Sequence, residues 1–260
     1  MTTDTDLSVL RDVLRVYDHR YLTLDADQRG RLLDGTRRVL GTGLSAETRA
    51  ALPAADRLRA FCIQQDLPDE LERLIRDEVE GRRPGAVVVG GRVYAMYPYL
   101  RGVPRQDADI TAEVGVEHRL DDVAWQGRRG DLRITGTARL ERVDTHRTAV
   151  DVVLRARTGG VEHRVPADTT GDGFSAVADL AVLDPGRWDV FVTTTALGLS
   201  RESRFGSRRS PGARTDGLTR GLPHAHATVY FTPGGHLAVR VRTDLPPSPL
   251  RARLRSRLRR

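Results

Sequence analysis

Three short spacings in this chain bring ligand-type side chains together. Asp25-Ala26-Asp27 and Asp107-Ala108-Asp109 each set two carboxylates one residue apart. That pattern coordinates a divalent cation and a sugar-nucleotide diphosphate when it closes a buried strand of an α/β sheet. Neither pair has that context. Asp25 and Asp27 open an apolar-periodic run, where a carboxylate accepts orphan helix N–H bonds, and Asp107 and Asp109 fall in a connecting segment, so capping and turn roles are expected. His224-Ala225-His226 would put two imidazoles on one strand face, suited to zinc, iron or nickel. A metal needs a third ligand, yet residues 227–233 contain no acid and His236 lies beyond a Pro-Gly-Gly turn, so surface histidines are expected. Gly-x-Ser-x-Gly elbows and Gly-x-x-x-x-Gly-Lys-Ser/Thr phosphate loops do not occur. No catalytic, cofactor-binding or metal residue is assigned, and no cofactor is expected.

Two further groups are candidates for binding. Trp125 and Trp188 are the only tryptophans; an indole face matches the C–H face of a sugar ring, although a tryptophan in a sandwich strand is more often core. The C-terminus carries Arg251, Arg253, Arg255, Arg257, Arg259 and Arg260 around Leu250, Leu254 and Leu258. On a helix these residues form a thin apolar stripe in a cationic cylinder, able to touch anionic lipid or acceptor phosphates. A solvated tail is the alternative.

Charge is unevenly spread. All 42 basic residues are arginine, and the formal net charge is +7. Residues 1–84 and 85–200 each hold 14 Arg against 16 acids, whereas residues 201–260 hold 14 against 3. A basic tail on a slightly acidic body suits an anchor better than a polyanion-gripping core, so nucleic acid is demoted as a partner. The lone Cys62 excludes an internal disulfide framework. The N-terminus has no signal-peptide pattern, and no apolar run approaches the roughly 18 residues needed to span a bilayer. A cytoplasmic chain is expected, peripheral at the inner face of the membrane if the tail engages lipid.

The elements that must position these residues change character near residue 84. Before it, Leu7, Leu10, Val13, Leu14 and Tyr17 share one helical stripe. A second helix starts near Asp25 or Asp27 and stops at Gly41, a short third covers 45–52, and others open at Pro53 and Pro68. Each is too short to stand alone and must pack on a neighbour. After it, the Gly90-Gly91 pair between β-rich runs predicts a hairpin. Strand-like runs follow near 114–120, 132–143, 148–157, 174–183, 188–195, 199–205, 228–231 and 237–243, with residues 204–221 expected as a mobile Arg, Ser and Gly-rich loop. The fold class is α+β and multi-domain: a short-helix bundle (1–84), a hairpin and connection (85–104), an antiparallel immunoglobulin-like β-sandwich (105–245) and a basic tail (246–260).

The order of motifs resembles a known family. A short-helix region leads into Gly91-Arg92-Val93-Tyr94-Ala95-Met96-Tyr97-Pro98 and then into a sandwich carrying Leu120-Asp121-Asp122-Val123-Ala124-Trp125, Leu132-Arg133-Ile134-Thr135-Gly136-Thr137-Ala138 and Gly186-Arg187-Trp188-Asp189-Val190-Phe191-Val192. This is similar to the linker and C-terminal immunoglobulin-like region of actinobacterial family 2 glycosyltransferases, resembling those that modify wall teichoic acid, over residues 1–243. In such enzymes a GT-A catalytic domain with its Asp-x-Asp site precedes the linker. None is recognised here, so the expectation is a separate accessory chain or a truncated transferase. The resemblance implies a non-catalytic accessory role in partner docking, oligomerisation or acceptor-polymer binding. Implied partners are a glycosyltransferase catalytic subunit or a second copy, and an anionic membrane surface or polyol-phosphate polymer. A freestanding carbohydrate-binding sandwich is the alternative function, and a self-contained enzyme ranks last.

Overall fold

The computed structural model describes residues 4–127, 130–145, 147–215 and 218–243. The described residues divide into two compact units: one runs to Val114 and includes Arg142–Asp144, the other holds Gly115–Glu141 and the residues from Thr145 onward.

The first unit is helical. Its helices are α1 (Asp4–Arg15), α2 (Ala26–Leu40), α3 (Ala46–Ala51), α4 (Ala54–Gln64) and α5 (Pro68–Val79); all but α3 contribute side chains to one core, and α3 is flanked by the core members Leu44 and Leu52. Their ends follow local chemistry. Asp25 caps α2 by accepting from the Gln28 amide, while the Gln28 side chain accepts from the Asp25 amide, a reciprocal capping box. Gly41 ends the helix at φ +61°, a conformation that favours glycine. Ser45 caps α3, and Pro68 begins α5 with Asp69 and Glu70 in its first turn. Leu10, Leu14, Tyr17, Leu58, Leu71 and Ile75 are buried, each aliphatic side chain among them contributing about 1.5–3 kcal/mol. Beyond α5, strands β1 (Gly85–Val89) and β2 (Arg92–Met96) form the expected hairpin, with Val89 opposite Arg92 and both intervening glycines at positive φ. A single helical turn, α6 (Arg105–Ala108), follows.

The second unit is built of strands, with a 3-10 turn at Leu180–Val182. One sheet orders β3 (Val116–Gln126), β4 (Asp131–Leu140), β8 (Gly173–Asp179) and β7 (Asp168–Thr170). The other runs β11 (Thr219–Leu222), β12 (Ala225–Phe231), β13 (Leu237–Thr243), β9 (Gly186–Ala196), β5 (Ala149–Ala156) and β6 (Glu162–Pro166), with β10 (Leu199–Arg204) also on β9. Every pairing is antiparallel. Leu120, Leu132, Ile134 and Phe174 from the first sheet share a core with Val152, Leu154, Trp188, Val190, Val229 and Val239 from the second. The alternation read in β4, β5 and β9 therefore points its apolar side inward.

Two features depart from the sequence expectations. Strands β6, β7 and β11 were not anticipated, because they are short and mostly outward-facing, with no apolar alternation to betray them. The segment expected as a mobile loop is held at its start and end. Phe205 is buried in the core, Leu120 donates to the Arg208 carbonyl at 2.9 Å, and Ser210 donates back to Leu120 at 2.8 Å. This strap lies along the free edge of β3 and satisfies backbone groups that an open edge would expose.

Candidate functional site

An open groove of about 790 Å³ lies in the helical unit between the outer face of α5, residues 82–85 and residues 96–99. Helical spacing builds its wall: Leu71, Leu74 and Ile75 turn into the core, which leaves Glu72, Arg73 and Arg76 on the groove side. Tyr99 donates its hydroxyl to Asp77 at 2.8 Å, and the Arg73 guanidinium lies 4.3 Å from the Tyr99 ring centre. Tyr97 meets Tyr99 edge-on at 5.9 Å. Burial raises the Tyr99 hydroxyl well above the usual phenol range, helped by its bond to the Asp77 carboxylate. It stays a donor at neutral pH.

The groove's charge is partly compensated. Arg76 pairs with Glu72 at 2.5 Å, and Arg82 pairs with Asp77 at 3.0 Å and with Glu80 at 2.5 Å. Arg73 and Arg83 form no ion pair among the described residues. Two guanidinium groups beside two tyrosines give a surface that can bond anionic oxygens while aromatic faces cover sugar or polyol C–H groups. The sequence reading missed this groove. Its signal, Tyr97-Pro98-Tyr99 following an Arg-rich helix, carries no spacing motif, and the two segments meet only through the fold.

The residues singled out from the sequence lie elsewhere. Asp25 is a helix cap, and Asp27 lies in the first turn of α2. Asp107 is buried and bound by Arg49 Nε at 2.9 Å, whereas Asp109 accepts from the Thr111 amide at 2.8 Å and from Arg92 at 3.1 Å. Burial opposes ionisation of Asp109, but these bonds outweigh it and hold its carboxyl below the usual range. Asp107 and Asp109 are thus committed to separate partners. Among the described residues no group of three or more His, Cys, Asp or Glu is placed to hold a metal ion. His226 is exposed at the start of β12, opposite Arg242 in the register.

Trp188 is 2 % exposed and donates its indole N–H to the Asp184 carbonyl at 2.9 Å, so its ring is core and presents no face to a sugar. Trp125 is partly buried, with the Arg220 guanidinium 5.1 Å from its ring centre. Arg251, Arg253, Arg255, Arg257, Arg259 and Arg260 lie outside the described residues. No described helix is long and apolar enough to cross a membrane.

Residues 109–239 match the family described as TarS beta-glycosyltransferase C-terminal domain 1, and residues 8–75 match the one described as Glycosyl transferase TarS linker domain. Among solved structures, the crystal structure of S. aureus TarS 217-571 is similar at 14 % identity and a TM-score of 0.52, covering 93 % of this chain and 70 % of that one. That likeness concerns the fold. The crystal structure of S. aureus TarS aligns with 92 % of this chain at 14 % identity and a TM-score of 0.43, and the chain spans 44 % of its length. No curated protein sequence matches.

Proposed function

Because the chain belongs to the TarS beta-glycosyltransferase C-terminal domain 1 family and carries a TarS linker match ahead of it, we propose that it is an accessory region of a cell-wall polymer glycosyltransferase of the teichoic-acid type. It holds the acceptor polymer while a catalytic subunit carries out transfer. The observation that supports this reading best is the groove beside α5, where Arg73 and Arg83 lack carboxylate partners among the described residues and Tyr97 and Tyr99 lie alongside. A polyol-phosphate chain alternates anionic diesters with hydroxylated carbon, and such a groove offers donors for the first and aromatic faces for the second. Its open shape suits a polymer passing through better than a small molecule enclosed.

The test uses the full chain with purified poly(ribitol phosphate). Retention should fall with rising salt, because screened phosphate contacts carry it, and the double variant Arg73→Gln, Arg83→Gln should weaken retention by roughly tenfold or more. Equal retention of the double variant, or none by the wild type at low salt, overturns the reading. So does sugar transfer by the isolated chain from a nucleotide sugar. Addition of the chain to a catalytic subunit should raise transfer onto long acceptors.

A further inference from the structure

A second polar cavity, of about 320 Å³, lies in the β unit, lined by Glu117, His118 and Arg119 of β3, Thr137 and Arg139 of β4, Asp172 and Arg208. Its construction follows from the bulge in β3, where the register with β4 shifts between Leu120 and Asp122. Asp121, the extra residue, accepts from Arg119 Nε at 2.8 Å and from the Ser210 hydroxyl at 2.7 Å. That second bond, with the two backbone bonds at Leu120, fixes the strap and delivers Arg208 to the cavity. Arg139 sits across the strand pair from Glu117, bonded to it at 2.8 Å, and 3.7 Å from Asp172. Arg208 is exposed and forms no ion pair among the described residues.

The electrostatics select a ligand class. Arg139 pairs with Glu117 and Arg119 with Asp121, whereas Arg208 has no carboxylate partner among the described residues, which leaves one guanidinium to be matched. A phosphodiester, with a single negative charge, matches it; a phosphomonoester near two charges would face repulsion from Glu117 and Asp172. Those carboxylates and the Thr137 hydroxyl are acceptors for the hydroxyls of a polyol flanking the diester. His118 senses the same uncompensated charge. Burial lowers its pKa, and Arg208 and then His236 lower it further.

We infer that this cavity binds one phosphodiester of a polyol-phosphate chain, with Arg208 as the principal cation, Arg119 and Arg139 completing the anion contact and Glu117 and Asp172 taking the neighbouring hydroxyls. It adds a second contact on the other unit, and it rests on the acceptor reading for its choice of a polyol phosphate.

The experiment titrates the full chain with glycerophosphoglycerol and with dimethyl phosphate, which keeps the diester and lacks hydroxyls. Glycerophosphoglycerol should bind more tightly, and Arg208→Gln should weaken both by roughly tenfold. The strap is held by the Arg208 backbone, so this variant should keep its fold, as a circular dichroism melt would verify. Glu117→Gln has the opposite sign for dimethyl phosphate, because it removes a competing anion. On binding, the His118 imidazole resonances should titrate at higher pH as Arg208 is neutralised. No binding of either diester, or binding indifferent to Arg208→Gln, overturns the site. If that happens while polymer retention still depends on Arg73 and Arg83, the cavity alone fails. If diesters bind here but polymer is not retained, the acceptor reading fails and the cavity stands.

Discussion

Gly136 in β4 faces the backbone of Arg119 in β3 so closely that a Cβ on it would collide with the Arg119 carbonyl oxygen and stand 3.0 Å from the Phe205 ring. The close approach sits at the bulge that carries the strap, so Gly136→Ala would push apart the elements that frame the diester cavity. A loss of about 1–3 kcal/mol is expected from such overpacking, read as a lower urea midpoint for the β unit. The control is Gly30→Ala on the exposed face of α2, where nothing lies within 4 Å of the added methyl. That change should stabilise the helical unit by about 0.5–1 kcal/mol.

Arg57 in α4 is 7 % exposed and donates its guanidinium to four backbone carbonyls: Arg49 at 3.1 Å, Leu52 at 2.5 Å, Asp107 at 3.3 Å, and Asp109. These carbonyls belong to chain segments that end helices or leave them, and their bonds would otherwise be lost to burial. Arg57→Met should cost about 2–4 kcal/mol of the helical unit's stability by leaving acceptors unpaired. Arg57→Lys should recover less than half of that, because an ammonium lacks the planar fork that reaches four oxygens. Equal stability of the lysine variant and the wild type would contradict this account.

Much of the fold is legible in local sequence patterns. Leu10, Leu14 and Tyr17 recur at helical spacing and are buried, Gly90-Gly91 marks the hairpin, and Val150, Val152 and Leu154 alternate as a strand packed on a core. These are local signals, carried within about ten residues. The two cavities are not local features. Arg208 reaches the cavity because residue 120 bonds residue 208, and Tyr99 reaches the α5 arginines through its bond to Asp77. Neither pairing leaves a spacing to read. The Arg, Ser and Gly composition of 204–221 suggested a loose loop, yet Phe205 anchors it and its backbone completes an edge. Asp107 and Asp109 looked like a pair by spacing alone, and the fold sends one to Arg49 and the other to Thr111 and Arg92.

The β unit should weaken with mild acid through His118. The imidazole packs on Phe205 at 5.3 Å with Arg208 and His236 nearby, and its Nδ1 is enclosed without a hydrogen-bond partner among the described residues. Burial, Arg208 and His236 together hold its folded pKa below the ordinary value of 6.5. The unfolded chain therefore binds a proton as pH falls through 6.5 while the folded chain does not. The contribution is fully present above that pH, is lost between the unfolded and the folded pKa, and changes no further below both. Urea midpoints measured across this window should fall with pH in the wild type and flatten in His118→Leu. An unchanged slope in the variant would assign the acid sensitivity to another group.

Cys62 offers a probe of opening in the other unit. Its side chain is fully buried in α4, and burial, followed by the nearby Glu70 charge, pushes its thiol up to about 12. A thiol with that value is almost entirely protonated at neutral pH, and the thiolate is the reactive species. Iodoacetamide should leave the native chain unmodified over times that fully label the urea-unfolded chain. Labelling under native conditions should then report opening of the core, with Arg57→Met accelerating it by about tenfold for each 1.4 kcal/mol of stability it removes. Gly136→Ala, which acts in the β unit, should leave the rate unchanged. Rapid labelling of the wild type in the absence of denaturant would show that α4 opens without global unfolding and would place the helical unit's weakest packing at Cys62.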